Sequence, residues 1–267
     1  MNAPATDSPP GRRICAVVPA AGRGSRLGAD APKVFVEILP EFTIWDAVRR
    51  HLAPVVDHLV LVLSPQGREY VSRERNRFGP DSFEQTTLGL QAEPRGMGDA
   101  IFGAAPLWRD YDDILVVWGD QFNVSPQTYR GCLAAHRALP APALSMPVVR
   151  VPEPYVEYVF DPAGRLTAVK QSREGDACSP GGFSDTGVFL LSAGAQLLAA
   201  WEDYLRTDPR GRGTGEINFL PFLVHLSQAE GWPVGRHEIA DPREAVGINT
   251  PEELDFARSI LQPSRLP

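Results

Sequence analysis

Apolar residues cluster along the chain in short runs separated by longer amphipathic stretches. Arg13 to Pro19, His58 to Leu63, Asp113 to Trp118, Ala143 to Val149 and Phe183 to Leu191 are brief, β-branched-rich and apolar at nearly every position. A strand buried on both faces has that signature. Thr43 to Leu52, Met97 to Trp108, Ser125 to Ala138 and Gly194 to Leu205 space their apolar residues for one helical face. Alternation of strand and helix predicts an α/β fold: a Rossmann-like, mostly parallel sheet with helices on both faces.

The middle of the chain departs from that rhythm. Tyr155 to Phe160 and Arg165 to Gln171 flank Asp161-Pro162-Ala163-Gly164. Asp first, Pro second and Gly fourth is a type I turn signature. A β-hairpin is expected there, inside a flap spanning about residues 150–185, either over a substrate or as a sheet-edge excursion. Near the end, Thr250 precedes Pro251-Glu252-Glu253. An N-cap, a proline at the first helical position and acids in the first turn predict a helix to about Leu261. Residues 1–12 are Pro- and Ala-rich and read as a disordered lead-in, leaving 13–262 as one domain.

Composition narrows the function. The chain has 267 residues and a net charge of −7, with a pI near 5.3. There is no basic run to neutralise a nucleic-acid backbone. No apolar run approaches the roughly 20 residues of a membrane span. Three distant cysteines, Cys15, Cys132 and Cys178, argue against a disulfide framework or a zinc site, and suggest a reducing, cytoplasmic setting. The five histidines are scattered without metal-ligand spacing. No G-x-S-x-G elbow supports a serine hydrolase.

The richest motif follows the first strand: Val17-Val18-Pro19-Ala20-Ala21-Gly22-Arg23-Gly24-Ser25-Arg26-Leu27, then Pro32-Lys33. Small residues let backbone N–H groups approach phosphate oxygens or a base edge, and Arg26 and Lys33 supply local positive charge. A dinucleotide-binding loop needs a third glycine where Leu27 stands. A P-loop needs a terminal G-K-[ST], which is missing. The pattern A-A-G-x-G-x-R followed six residues later by P-K is matched at every fixed position. In this the chain resembles the sugar nucleotidyltransferase superfamily. It is most similar to the uridylyltransferase domain of bacterial N-acetylglucosamine-1-phosphate uridylyltransferase. The resemblance runs from about Ile14 to Leu261 and provides no counterpart to that enzyme's acetyltransferase half.

Further motifs fall in the order the resemblance implies. Gln91, Gly96 and Met97 lie where the family holds the base, with Met97 in place of a Thr; an amide can read a pyrimidine edge. Asp120 closes the strand Val116-Val117-Trp118-Gly119-Asp120. Ligands in open α/β sheets lie beyond the carboxyl ends of strands. The resemblance makes Asp120 a Mg2+ ligand and Asn249, in Gly247-Ile248-Asn249-Thr250, its companion. Two protein oxygens suit magnesium, which keeps waters and phosphates as its other ligands. The nucleotide site is thus expected to include Ala20, Ala21, Gly22, Gly24, Gln91, Gly96 and Met97. Arg26, Lys33 and Asp120 are the expected catalytic residues.

The expected acceptor residues differ from the family. Asp185, in Asp185-Thr186-Gly187-Val188, stands where the family has Asn. Gln171 replaces a sugar-contacting Glu, Arg173 a Lys, and Glu157 falls near a Gly. Gly215-Glu216-Ile217-Asn218-Phe219-Leu220 resembles the family's G-E-Y-Y segment and opens an apolar helix, a packing role. The resemblance implies NMP transfer from an NTP, UTP favoured, to a sugar-1-phosphate or related phosphorylated acceptor, with pyrophosphate released. The alternatives are a cytidylyl- or guanylyltransferase for a non-sugar phosphate or phosphonate, a glycosyltransferase, which lacks its Asp-x-Asp here, and a non-catalytic nucleotide sensor. No nucleic-acid or membrane partner is expected, and oligomeric state is open.

Overall fold

The computed structural model describes residues 12–22, 31–79 and 81–261. The expected lead-in 1–12, all but Arg12, lies outside the described residues, as do Gly24 and Arg26 of the first loop.

The strands are β1 (Ile14–Pro19), β2 (Glu37–Leu39), β3 (Phe42–Thr43), β4 (His58–Leu63), β5 (Thr86–Leu90), β6 (Asp113–Val117), β7 (Leu144–Arg150), β8 (Val156–Phe160), β9 (Leu166–Gln171), β10 (Phe183–Asp185), β11 (Val188–Ser192) and β12 (Val234–Glu238). The helices are α1 (Ile44–Leu52), α2 (Pro65–Arg73), α3 (Met97–Gly103), α4 (Ala105–Trp108), α5 (Pro126–Arg137), α6 (Ala195–Leu205), α7 (Leu220–Gln228) and α8 (Pro251–Ile260). Ten strands form one sheet in the order β5-β4-β1-β6-β11-β7-β10-β8-β9, with β12 beside β7; β2 and β3 pair separately. β5, β4, β1 and β6 are parallel. β7, β8 and β12 share their direction, while β9, β10 and β11 oppose it. The α/β class with a helix-covered central sheet therefore holds.

Strand periodicity sorts the core into two layers. Ile14, Ala16 and Val18 of β1, with Leu59, Leu61 and Leu63 of β4, face α1, α2, α5 and α8. Cys15, Val17, Val60 and Val62 face α3, α4, α6 and α7. Side chains alternate faces along a strand, so a strand with helices on both sides is apolar throughout.

Local chemistry sets the helix ends. Thr43 and Thr250 form capping boxes with Asp46 and Glu253. Ser64 and Ser125 cap α2 and α5. The expected single helix over Met97–Trp108 is instead two helices, broken at Ala104. Pro106 has no N–H to continue the ladder of α3. The expected strand Phe183–Leu191 also divides, into β10 and β11. Gly187 between them has φ +68°, and a Cβ there would lie 2.6 Å from both Trp118 Cδ1 and Gln121 Cγ. Both pieces run antiparallel to their neighbours, not parallel as the apolar run suggests. The Asp161–Gly164 turn forms as expected, with Gly164 N–H donating to Asp161 O at 2.9 Å.

Candidate functional site

Three distant segments meet beyond the carboxyl ends of β1 and β6. The first loop leaves β1 with Ala20 N–H donating to Val62 O at 2.8 Å. This sets Ala20, Ala21 and Gly22 against the neighbouring parallel strand. Pro32 then leads into a single 3₁₀ turn carrying Lys33. β6 ends one turn before Asp120, whose carbonyl accepts from Ile248 N–H at 3.2 Å. That bond draws the 247–250 segment to the site. A Cβ at Gly247 would sit 3.1 Å from Asp120 Cγ, close enough that the Asp120 side chain would have to shift by a few tenths of an ångström. Asn249 N–H donates to Glu253 Oε2 at 2.6 Å, tying the segment to the first turn of α8.

Lys33 Nζ lies 2.5 Å from Asp120 Oδ2 and 2.6 Å from Asn249 Oδ1. The two expected metal ligands thus share one cation, the ammonium of the expected catalytic lysine. All three side chains are half-buried or better. Among the described residues no group of three or more His, Cys, Asp or Glu could hold a metal. A carboxylate and an amide oxygen nevertheless suit a hard cation that keeps most of its water and takes phosphate ligands. That Lys33 spans both oxygens shows that the pair accepts positive charge.

Gln91 follows β5 and is 8% exposed. Its Nε2 donates to Gly96 O at 2.9 Å and to Asp99 Oδ2 at 2.8 Å. Both amide hydrogens are therefore taken, leaving Gln91 an acceptor oxygen for a base, not the donor–acceptor pair expected from sequence. Gly96 has φ +115° and opens α3. Met97, the first residue of α3, packs against the second core layer.

Asp185, at the end of β10, receives the Tyr158 hydroxyl at 3.0 Å. Burial pushes its carboxyl up to about 6, and the nearby charge of Asp120 pushes the same way. The expected acceptor side and the expected metal ligand therefore share one electrostatic environment. Gln171 is 2% exposed. Its backbone N–H donates to Asp176 Oδ2 at 3.0 Å. Among the described residues, Gln171 Oε1, Gln121 Oε1 and Thr186 Oγ1 are buried side-chain atoms without a hydrogen-bond partner. Buried polar atoms are rarely left unpaired without a reason. Arg173 is part-exposed, its Nε 3.7 Å from Glu174 Oε1.

Glu157 takes a different place from the one expected. Its Oε2 accepts from Lys170 Nζ at 3.0 Å and from Ser179 N–H at 2.6 Å. Burial raises its carboxyl pKa, but these bonds outweigh it and hold the group below its usual range. The geometry favours a strut between β8, β9 and the following turn over an acceptor contact. Thr186, Gln121 and Glu174 were not singled out as site residues. Thr186 and Gln121 adjoin Asp185 and Asp120 in sequence, the signal that points to them; Glu174 carries none.

Comparison with known proteins places the chain in a family. Residues 16–179 match the family model described as a MobA-like NTP transferase domain. The bifunctional protein GlmU of Corynebacterium glutamicum is 26% identical over 249 residues, 92% of this chain and 50% of that protein. The chain spans about half the length of the curated relatives it matches. A putative glucose-1-phosphate thymidylyltransferase from Bacillus anthracis, solved with a sucrose, superposes with a TM-score of 0.68 at 14% identity, covering 95% of this chain and 97% of that one. The inositol-1-phosphate CTP transferase of T. maritima gives 0.66 at 16% identity, covering 95% and 98%. Among the described residues no helix is long and apolar enough to cross a membrane. The chain belongs to the MobA-like NTP transferase domain family.

Proposed function

We propose that this protein transfers an NMP unit from an NTP, UTP favoured, to a sugar-1-phosphate or related phosphorylated acceptor, with Mg2+. The convergence of Lys33, Asp120 and Asn249 carries this reading. An acceptor phosphate oxygen attacks the α-phosphorus. The new P–O bond forms as the bond to the β-phosphate bridging oxygen breaks, and pyrophosphate leaves. Asp120 and Asn249 would hold the metal, which when bound supplies charge neutralisation between the two phosphates. Lys33 balances phosphate charge from the same point, and Arg26 is assigned to the departing pyrophosphate. The Ala20–Gly22 backbone and Gln91 Oε1 position the nucleotide. The acceptor phosphate is already ionised, so the site needs no general base. Gln171, Arg173 and Asp185 face the acceptor side.

A second reading is a cytidylyltransferase for a non-sugar phosphate. Gln91 favours it as much as the first: an acceptor oxygen suits the N4 amino group of cytosine as well as N3–H of uracil. The test is pyrophosphate release with magnesium, crossing four NTPs with a panel of sugar-1-phosphates, cyclitol phosphates and phosphonates. One pair that releases pyrophosphate, silenced by chelator, names both substrates. Failure of every NTP to bind in magnesium sinks the nucleotidyltransferase reading.

A further inference from the structure

The Gly215–Leu220 motif, expected to serve packing, overlaps the end of a segment, residues 210–217, that touches both the base-side loop and the flap. The segment closes on itself. Arg210 and Ile217 form an antiparallel bridge, Gly211 N–H donates to Glu216 O at 2.9 Å, and Gly215 N–H donates to Gly211 O at 2.8 Å. Its base is fixed: the Tyr204 hydroxyl donates to Asn218 O at 2.8 Å, and Phe219 is fully buried.

On one side the segment reaches the loop that carries Gln91. Ile217 N–H donates to Arg95 O at 2.8 Å. A Cβ at Gly96 would lie 2.6 Å from Ile217 O, so only glycine permits the contact. Gly96 O is in turn the acceptor of Gln91 Nε2. On the other side it reaches the flap. Gly213 N–H donates to Glu174 Oε2 at 2.6 Å, and the Thr214 hydroxyl donates to Glu174 Oε1 at 3.0 Å. A Cβ at Gly213 would lie 2.6 Å from Arg173 O. The Glu174 side chain is only 4% exposed. Gly213 N–H, the largest influence, holds its carboxyl below the usual range. Arg212 adds an exposed ion pair to Asp176.

We propose that Glu174 is a positioning residue: it anchors residues 210–217 as a strap joining the base-side loop to the acceptor flap, so that nucleotide binding orders the flap. The proposal rests on the nucleotidyltransferase reading above. The contact chain from Gln91 through Gly96 and Ile217 to Gly213 and Glu174 is unbroken. A buried carboxylate with both oxygens engaged by one segment is a stiff joint. Order gained at the base is therefore passed to the residues that flank Gln171 and Arg173, and the two substrates bind with positive coupling.

The test is hydrogen–deuterium exchange on the full chain with magnesium and each NTP in turn, comparing wild type, Glu174→Ala and Glu174→Gln. In wild type, an NTP that binds slows exchange across 91–100 and slows it across 172–182 by about fivefold or more. In Glu174→Ala the slowing across 91–100 persists, while that across 172–182 falls below about twofold. Glu174→Gln, which keeps one acceptor oxygen, falls between. If Glu174→Ala melts too early to measure, Thr214→Val removes one strap bond and gives a partial loss. Undiminished flap slowing in Glu174→Ala, or a wild type that protects 91–100 and not the flap, overturns the strap. If no NTP slows exchange across 91–100, the nucleotide reading itself falls and takes the strap with it.

Discussion

The two halves of the sheet share a hydrophobic core but differ in the polar bonds that surround it. Strands β5, β4, β1 and β6 are parallel, with helices on both faces and apolar side chains alternating between two core layers. Their carboxyl ends deliver Ala20, Gln91 and Asp120 to one edge. Hydrophobic burial fixes that edge, and it is non-directional, so loop residues there are free for chemistry. The flap around β8, β9 and β10 joins the second core layer through Tyr158 and Leu166 and adds directional polar bonds: Glu157 to Lys170 and Ser179, Glu174 to Gly213 and Thr214, Asp176 to Arg212 and Gln171. A polar framework is retuned by a single exchange, and the flap is where this sequence departs from the family it resembles. On the proposed function, the nucleotide end would carry the shared chemistry and the flap the choice of acceptor.

The sharpest way to break the comparison is at Asp120. If the parallel half supplies the chemistry, Asp120→Asn lowers kcat/KM by about 10²–10³, or about 2.7–4 kcal/mol of barrier. The variant lowers its melting temperature by no more than about 2–4 °C, because it loses the half-buried pair with Lys33 but keeps the bond from Ile248 N–H to the Asp120 carbonyl. Steady-state pyrophosphate release and a thermal melt check both halves of the statement. A drop of less than tenfold places the chemistry elsewhere.

Lys33 comes next. Lys33→Ala costs on the order of 10²-fold in kcat. It also frees Asp120 and Asn249 from their ion pair and hydrogen bond. A part-exposed ion pair is worth about 1 kcal/mol, so manganese binding without nucleotide tightens about fivefold. Titration calorimetry reads this without turnover. Weaker manganese binding in the variant would show that Lys33 supports the cation site and does not compete for it.

What the sequence made legible follows the same divide. Strands β1, β4 and β6 were readable because burial on both faces leaves an unbroken apolar run. Helices α1, α5 and α8 were readable because Thr43, Ser125 and Thr250 mark their starts. Helix α2 opens on the same kind of signal, Ser64-Pro65, but its Arg68, Glu69, Ser72 and Arg73 leave only a thin apolar face; strand β12, with Arg236, His237 and Glu238, carries no apolar run, and tertiary pairing decides it. Asp120, Asn249 and Lys33 were readable as motifs in order, and the structure adds that they touch. Glu174 and its strap were not readable. Glu174 is engaged by the Gly213 N–H, 39 positions away and without a side-chain signature, and by the hydroxyl of Thr214, 40 positions away, too distant for any local pattern to reveal.

Asp185 sharpens the comparison through pH. Its carboxyl is pushed up to about 6, above the unfolded value near 3.8. The native state then holds a proton the unfolded state has released, so the group favours folding below about pH 4. That favour is lost as pH rises through about 6. Asp185→Asn removes the cost of an ionised acid beside Asp120. It raises stability at pH 7 on the order of 1 kcal/mol and leaves it unchanged below about pH 4. Melts in EDTA across pH 3.5 to pH 8 measure the difference, with those limits set by the two pKa values. A gain equal at both ends would mean that Asp185 stabilises nothing by its charge state.

The smallest effect separates a strut from a contact. Glu157→Gln keeps an oxygen for Ser179 N–H and loses the charge that holds Lys170, which is 34% exposed. A pair of that kind contributes no more than about 1 kcal/mol, or roughly 2–4 °C in Tm for a chain of this size. As a strut, Glu157 moves Tm and acceptor KM together, because the loosened flap must be ordered again by the acceptor, and leaves NTP KM alone. As a direct acceptor contact, the role expected from its place in the sequence, it shifts acceptor KM at least tenfold with Tm unchanged, since a charged hydrogen bond to substrate is worth about 1.5–3 kcal/mol. The ratio of the two responses decides, and the bonds from Lys170 Nζ and Ser179 N–H, both to Glu157 Oε2, favour the first.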